Sequence, residues 1–503
     1  MPITKAVASS VKTPGVYLRI DLLGPSSNAG TAVLRALLIA PKGSGGNITA
    51  NTEVRPCFGA DDVATALGSG TPGHLASKRF FRRFPLGRLD VAAPTASAGS
   101  SATGTQTFSG TATENSTIRF HIHGRIVEVS WLAGETAAQF VTRAVATINQ
   151  NSADLFVTAA ADTADIDYTA KVAGPWGNDV RIFVAVYTGG GGITISANPA
   201  ALTGGTTEPS IATVLTLVST SEYAVIIPCL SNADAADTSS SSNAERLAIH
   251  INTFATGLGA LLQKGVVGIT GSTTNAKAGA VDRNNERVWY PLGRVWDDLP
   301  CEIAAAEAGE ALARASERAN YNRIGTVYDD LYGPRDVVAN RLSAAETEDL
   351  LNNGVTPLDV DPLTGQRFLV APITTHSTSG GAPDYRAYHL SDVFAMDAVF
   401  GGLRVALKQE FPNASITEDL PPGSDELPAG VIEIRDVLAF TIRYLRGWAR
   451  DGVVSRTKLD AAIEAQQLLV LIDDVDPSQV NIFVPTGIIK PLSKFGVVGS
   501  KVA

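Results

Sequence analysis

No apolar run in this chain approaches the ~20 residues that a membrane-spanning helix requires. The longest, "AVIIPCL" and "LLVLI", fall far short. The N-terminus has no apolar signal-peptide core, so the sequence predicts a soluble protein made in a cytoplasm. Cysteine is scarce: Cys57, Cys229 and Cys301 are widely separated, which gives neither a disulfide framework nor a zinc site and predicts buried free thiols. There are only 6 histidines, and neither a G-x-S-x-G elbow nor an H-E-x-x-H motif occurs, so the familiar hydrolase and zinc-protease constellations are missing. A formal net charge of −10 argues against a general nucleic-acid binder.

Three stretches imitate chemistry without completing it. "GITGSTTNAKAG" (Gly268 to Gly279) follows a strand like a phosphate loop, but it lacks the G-K-[ST] ending and Lys277 lies too far along. "HIHGR" puts His121 and His123 on one face of an expected strand, as a metal pair would be, yet no third ligand is evident. "DDVDP" (Asp473 to Pro477) is acidic without calcium-loop spacing and reads as a turn at a helix end. The sequence therefore predicts no enzyme, no cofactor and no metal.

What is present is an ordinary globular composition, 45% hydrophobic and 18% charged, in a chain long enough for two to four domains. Strand–helix alternation in "AVLRALLIAP", "DDVATALG" through "KRFFRRF", "EYAVIIPCL", "AERLAIHINTFATGLGALLQ" and "GVVGIT" predicts an α/β layer structure. "VWYPL" is a further strand, and "EIAAAEAGEALARASERAN" a helix with a Glu310–Arg314 pair at i,i+4. Ser343-Ala-Ala-Glu346 is a capping box whose helix ends at Asn352-Asn353-Gly354. Val91 to Thr117, with Glu114 its only charge, reads as a linker or domain edge, and "LTGGTTEP" closes the segment that it opens. Between them lie the strand pair "STIRFHIHGRIVEVSWL", the helix "ETAAQFVTRAVATINQ" and the strands "DIDYTAKV", "DVRIFVAVY" and "GGITISA". The fold class predicted is thus an α/β core, a sheet with flanking helices, carrying an inserted β-rich domain and extended arms at both ends. The expected divisions are 1–22 (arm), 23–90 (first part of the core), 91–208 (insertion), 209–477 (core continued, with an inner C-terminal region) and 478–503 (arm).

The ends differ from the body. "TPGVYLRIDL" (Thr13 to Leu22) alternates as a strand, with Val16, Leu18, Ile20 and Leu22 on one face, yet no neighbouring segment offers it a hairpin partner. The last residues, "VNIFVPTGIIKPLSKFGVVGSKVA", carry Pro485 and Pro491, which forbid a central strand but allow an edge strand or an arm. The first twenty residues hold Lys5, Lys12 and Arg19 and no acid; Pro477 to Ala503 hold Lys490, Lys494 and Lys501 and no acid. Each end is +3 by formal count and the body between them −16, a pattern suited to arms that dock on other copies of that body. An unpaired strand is a hazard unless another chain's sheet consumes it. Backbone bonds return roughly 1 kcal/mol each while ordering a residue costs ~1–2 kcal/mol, so the ladder alone barely breaks even. Burial of Val16, Leu18 and Ile20, at ~1.5–3 kcal/mol apiece, is what would make the arm hold. Such head-to-tail contacts make rings or helical filaments. Near the C-terminus, "EIRDVLAFTIRYLRGWARD" is an amphipathic helix with Ile434, Val437, Leu438, Ile442, Leu445 and Trp448 on one face. Arg435, Arg443, Arg446 and Arg450 form a strip beside it, read either as a solvated face or as a contact with an acidic partner. A second helix is expected from about Thr457 to Ile472.

These segments in this order, "TPGVYLRID" with "TAVLRALLIAP", "AKVAGPWGNDVRI" with "LTGGTT", "YPLG", and "RDVLAFTIRYLRGW" before an extended tail, resemble the contractile bacteriophage tail sheath protein family. The resemblance covers nearly the whole chain. It implies a structural subunit that stacks as six-membered rings in a helical array around an inner tail tube and contracts to drive that tube through a cell envelope. It implies as partners further copies of the chain, the inner tube protein and the baseplate and tail-terminator proteins, with no direct nucleic acid and no membrane insertion. The location implied is a virion tail assembled in the bacterial host cytoplasm. Carried onto this sequence, Pro14, Gly15, Val16, Tyr17, Leu18 and Ile20, with Asn481, Ile482, Phe483 and Val484, are the inter-subunit arm strands. Arg435, Arg443, Arg446 and Arg450 would touch the tube or a neighbour. The sheath of a related injection device, of bacteriocin or secretion type, is the alternative, and a soluble α/β enzyme with an inserted β domain is the remaining one.

Overall fold

The computed structural model describes residues 34–196, 201–255, 261–421, 427–485 and 487–490. The chain opens with β1 (Arg35–Ile39), β2 (Val54–Cys57), α1 (Ala60–Leu67), α2 (Pro72–Arg83) and β3 (Arg88–Ala92). It then leaves the sheet to form β4 (Thr103–Gly110), β5 (Ser116–Ile122), β6 (Arg125–Trp131), α3 (Ala137–Gln150), β7 (Val157–Asp162), β8 (Asp165–Ala170), β9 (Ile182–Thr188) and β10 (Ile193–Ile195). On its return it makes α4 (Ala212–Leu217), β11 (Val225–Pro228), α5 (Asn232–Ala236), α6 (Asn243–Phe254), β12 (Lys264–Val266), α7 (Thr273–Arg283) and β13 (Val288–Gly293). There follow α8 (Pro300–Glu317), α9 (Val337–Asn340), α10 (Ala344–Asn352), β14 (Val355–Val360) and β15 (Arg367–Leu369). The last part holds β16 (Thr378–Ser379), β17 (Ala382–Pro383), α11 (Leu390–Glu410), β18 (Ser415–Thr417), β19 (Val431–Glu433), α12 (Ile434–Arg450), α13 (Arg456–Glu464), β20 (Leu469–Ile472) and β21 (Val480–Phe483).

The fold is an α/β sheet with flanking helices and a β-rich insertion. Eight strands run in the order β15-β14-β13-β12-β11-β1-β3-β2, parallel except for the two edge strands. Central parallel strands are covered on both faces and so read as unbroken apolar runs, as "RALLI" and "VIIP" do. Ala36, Leu38, Val225 and Ile227 face α2 and α8; Leu37, Ile39 and Ile226 face α4, α6 and α7. Both edges are closed. Pro56 removes an N–H from β2, and residues 325–328 bond along β15.

The insertion contains two antiparallel sheets, β10-β4-β8-β7 and β6-β5-β9, around Phe108, Phe120, Trp131 and Phe140, with Trp131 stacked on Phe140 at 4.3 Å between centroids. Its apolar interior is continuous with the α2–α8 face of the main sheet. The expected linker from Val91 to Thr117 is in part structured: β4 lies inside it. Its residues are mostly Thr, Ser and Gly, which hide the alternation that buries Gln106 and Phe108.

The C-terminal elements have a core of their own, built from Val399, Leu445, Val454, Leu459 and Leu468 with Leu438, Ile442, Tyr444 and Trp448. Among the described residues none before α11 contributes to it. The expected helix from Thr457 to Ile472 is shorter: α13 ends at Glu464, Gln466 turns left-handed at φ 50°, and "LVLI" becomes β20. An apolar run of that length fits either element, and pairing with β21 decides it. The sequence reading did not anticipate α11, a 21-residue helix shared by both cores.

The first half of α11 is fixed to the sheet by charge. Asp397 accepts two bonds from Arg287, the residue before β13, at 2.8 and 2.6 Å, and a third from Lys264 on β12; all three side chains are buried. Burial lowers the Lys264 pKa, against the opposing pull of Asp397. Removing one member of a buried ion cluster leaves the others uncompensated, which costs ~3–5 kcal/mol. Asp397→Ala, which strands two buried cations, should lower unfolding stability by about that amount, and Asp397→Asn by less, as read from denaturant unfolding of the full chain.

Candidate assembly interface

β20 and β21 form an antiparallel hairpin with the register Leu469↔Phe483, Val470↔Ile482, Leu471↔Asn481 and Ile472↔Val480. Among the described residues neither strand has a second neighbour, so the hairpin is open on both edges. Val470 is buried beside α12, whereas Leu471, on the opposite face, is 42% exposed. Two strands of four residues are marginal alone, and this hairpin has neither the edge proline nor the covering loop that closes the main sheet. Of the residues expected in arm strands, Asn481, Ile482 and Phe483 lie in β21, paired within their own chain, and Val484 packs into the C-terminal core. Pro14, Gly15, Val16, Tyr17, Leu18 and Ile20 lie outside the described residues.

α12 presents the apolar face that the sequence predicts to its own core, where Val437, Thr441 and Leu445 are buried. The arginine strip is exposed: the side chains of Arg435, Arg443, Arg446 and Arg450 are 57%, 70%, 60% and 83% accessible. Each has a carboxylate nearby. Arg443 bonds Glu410 at 2.7 Å, Arg446 reaches Asp460 at 3.5 Å, Arg450 lies 3.7 Å from Asp451, and Arg435 pairs with Glu433. Exposed pairs of this kind contribute ~0–1 kcal/mol and can exchange one acid for another at little cost.

The residues that imitated chemistry have structural occupations. His123 is not on the face of His121. It sits with Gly124 in the two-residue turn between β5 and β6, both at positive φ (37° and 82°), the geometry of the favoured hairpin turns. A side chain at Gly124 would run into the Tyr332 ring. His123 Nε2 accepts the Phe156 N–H at 3.1 Å, and burial holds its pKa down at about 4. Lys277, on α7, bonds Asp349 of α10 at 2.6 Å. Among the described residues no group of three His, Cys, Asp or Glu is placed to hold a metal ion. Cys57, Cys229 and Cys301 are buried and free.

A feature not foreseen from sequence is the polar seam where the insertion joins the sheet. Trp176 donates to the Cys229 carbonyl at 2.9 Å, Arg181 to the Thr270 carbonyl at 3.1 Å, and Asn232 donates twice to Asp179, at 3.0 and 2.9 Å. Glu208 accepts from Ser231, and Asp234 from the Asn243 N–H. Burial pushes Asp179 up to about 6, against the Asn232 bonds and Arg181. Glu208 is raised by burial and then by the charge of Asp234, itself raised by burial. "PWGND" and "SNAD" carry these residues, and nothing in their spacing shows that they meet.

Comparison with known proteins found no matching family model and no matching curated protein. Among solved structures, the chain is similar to the sheath tail protein Lin1278 from Listeria innocua, at 14% identity and a TM-score of 0.43 over 92% of this chain and 96% of that one. It is similar to the sheath tail protein DSY3957 from Desulfitobacterium hafniense, at 13% identity and 0.42 over 95% and 100%. It is also similar to the helical sheath of the anti-feeding prophage in its contracted state, at 10% identity and 0.48 over 98% and 99%.

The seam should respond to pH. The Asp179 pKa is higher in the fold than the usual 3.8, so its stabilising contribution is full below that value and is lost as pH rises through about 6. Amide protection of residues 231–236, corrected for intrinsic exchange, should fall between pH 4 and 7, by up to about a hundredfold, the worth of the rise from 3.8 to about 6. Asp179→Asn should flatten that fall.

Proposed function

We propose that this chain is a structural, non-catalytic subunit of a contractile tail sheath. It would polymerise helically around an inner tube and contract to drive the tube through a target envelope. The observation that carries the reading is the hairpin β20–β21, open on both edges among the described residues and with Leu471 exposed; the sequence from Pro14 to Ile20, which alternates apolar residues and lies outside the described residues, is the strand expected to fill it. That strand, passed from one copy to the hairpin of the next, satisfies both at once. β21 is then a receiving strand, and the donated C-terminal segment begins after Lys490. The basic ends and acidic body favour the same exchange. Residues 91–208 would form the outward domain, and the unit after α11 the inward one, with Arg435, Arg443, Arg446 and Arg450 exchanging their intrachain acids for an acidic patch on the tube or on a neighbour. The setting is a phage tail or a related injection device, with baseplate and terminator proteins at its ends.

Negative-stain microscopy tests the reading with full-length protein beside versions lacking residues 1–22 or 491–503; the second truncation leaves β21 intact. Tubes or stacked rings are expected from the full chain and not from either truncation. Assembly that survives both would overturn the arm exchange. Charge reversal at Arg443, Arg446 and Arg450 together should leave self-assembly intact and weaken co-sedimentation with tube protein tenfold or more, on the order of two exposed ion pairs. Unchanged co-sedimentation would remove the strip from the tube interface.

A further inference from the structure

Two of the three cysteines meet. Cys229, the residue after β11, shares a core with Val225 and Ile227 on the face toward α2 and α8. Its N–H bonds the Ile39 carbonyl at 2.7 Å, which sets it level with Ala40, the residue after β1. On its other side the register Ile226↔Gly265 carries on to Gly268. A helix start is seated on each of these flanking residues. A side chain at Gly73, in the first turn of α2, would run into Leu67 and Ala40, and one at Gly268 would run into the Pro300 carbonyl that opens α8. Cys301, next after Pro300, therefore comes down over Cys229 from the first turn of α8.

The two thiols are hydrogen-bonded to each other, and that of Cys301 also reaches the Pro72 carbonyl of α2 at 3.5 Å. Both residues are buried, and the Trp176 ring of the insertion donates to the Cys229 carbonyl. Cys57 stands apart at the end of β2, opposite Leu89. A single buried thiol behaves as a small apolar side chain, whereas two in contact can be joined. Burial, and after it the Cys229 thiol, push the Cys301 pKa well above the ordinary thiol range. The thiolate is the reactive form, so the pair stays reduced until an oxidant meets its small thiolate fraction.

We propose that Cys229 and Cys301 are a latent dithiol that hydrogen peroxide converts to an intrachain disulfide, bolting the first turn of α8 to the end of β11. One thiolate attacks a peroxide oxygen; the O–O bond breaks, hydroxide leaves and takes up a proton as water, and the sulfur becomes a sulfenic acid. The second thiolate attacks that sulfur, the S–O bond breaks, and a second hydroxide leaves as water. Two thiols and one peroxide thus give one disulfide and two waters. The partner thiol is already in contact, so it captures the sulfenic acid before a further oxidation can. The bond closes the chain between residues 229 and 301, which restricts the unfolded chain more than the folded one. The dithiol belongs to the single chain, so its test needs no assembly and stands apart from the sheath reading.

The experiment exposes the full chain to excess hydrogen peroxide overnight, counts thiols after unfolding and maps linked peptides by mass spectrometry. The native chain should fall from three thiols to one, with Cys229 linked to Cys301 and a single-chain band on a non-reducing gel. The oxidised chain should unfold at a higher denaturant concentration than the untreated one, and a thiol reductant should restore the original midpoint. Cys57→Ser should form the same link and Cys229→Ser none. Three surviving thiols, a link through Cys57 or a link between chains would overturn the dithiol. An unchanged or lowered midpoint in the linked chain would overturn the bolt. Should Cys229→Ser fold poorly, Cys301→Ala, which stays apolar and close in volume, gives the same reading.

Discussion

The structure depends on Asp397. Lys264 on β12 and Arg287, just before β13, each send a buried cation to this one carboxylate on α11. Three charges removed from water are tolerable only if they satisfy one another. Their geometry also fixes where α11 lies on the sheet, and among the described residues the C-terminal core draws on no element before that helix. The described C-terminal elements are therefore positioned through α11, which Asp397 ties to the sheet.

The insertion is joined to the sheet by the opposite strategy. Its apolar interior runs without a break into the α2–α8 face, and the seam is stitched by many moderate bonds around Trp176, Asp179 and Arg181. Arg335 over the Phe183 ring, 4.3 Å from its centroid, adds a contact from the loop before α9. Interiors packed at this density transmit force and do not absorb it. Sheet and insertion should thus travel as one piece.

The sequence disclosed the fold where periodicity was strong and hid it where chemistry was distributed. The parallel strands were legible because burial on both faces makes them continuous apolar runs, and Ser343–Glu346 because a capping box is local. α12 was legible down to its buried stripe. β4 was hidden by its Thr and Ser, and β20 was read as helix because a short run of leucines fits both. α11 passed unnoticed although its 21 residues begin and end plainly, since the Gly401–Gly402 pair interrupts it. The open hairpin could not be read at all: which strands lack a second neighbour is a property of the assembled sheet and leaves no mark in either strand's own residues.

That hairpin is the clearest contrast in the molecule. The main sheet is protected at β2 by Pro56 and at β15 by a bonded loop, so the chain has the means to close an edge. Among the described residues, β20 and β21 have no such closure. An edge left open on a rigid body would offer a neighbour a single geometry. A strand taken up by this open edge would join two chains through a ladder of backbone bonds and leave the main sheet of each chain closed. The hairpin packs on α12, and the core of α12 reaches Val399 and Phe400 of α11, so a load on that edge passes through α12 and α11 to Asp397 and the sheet.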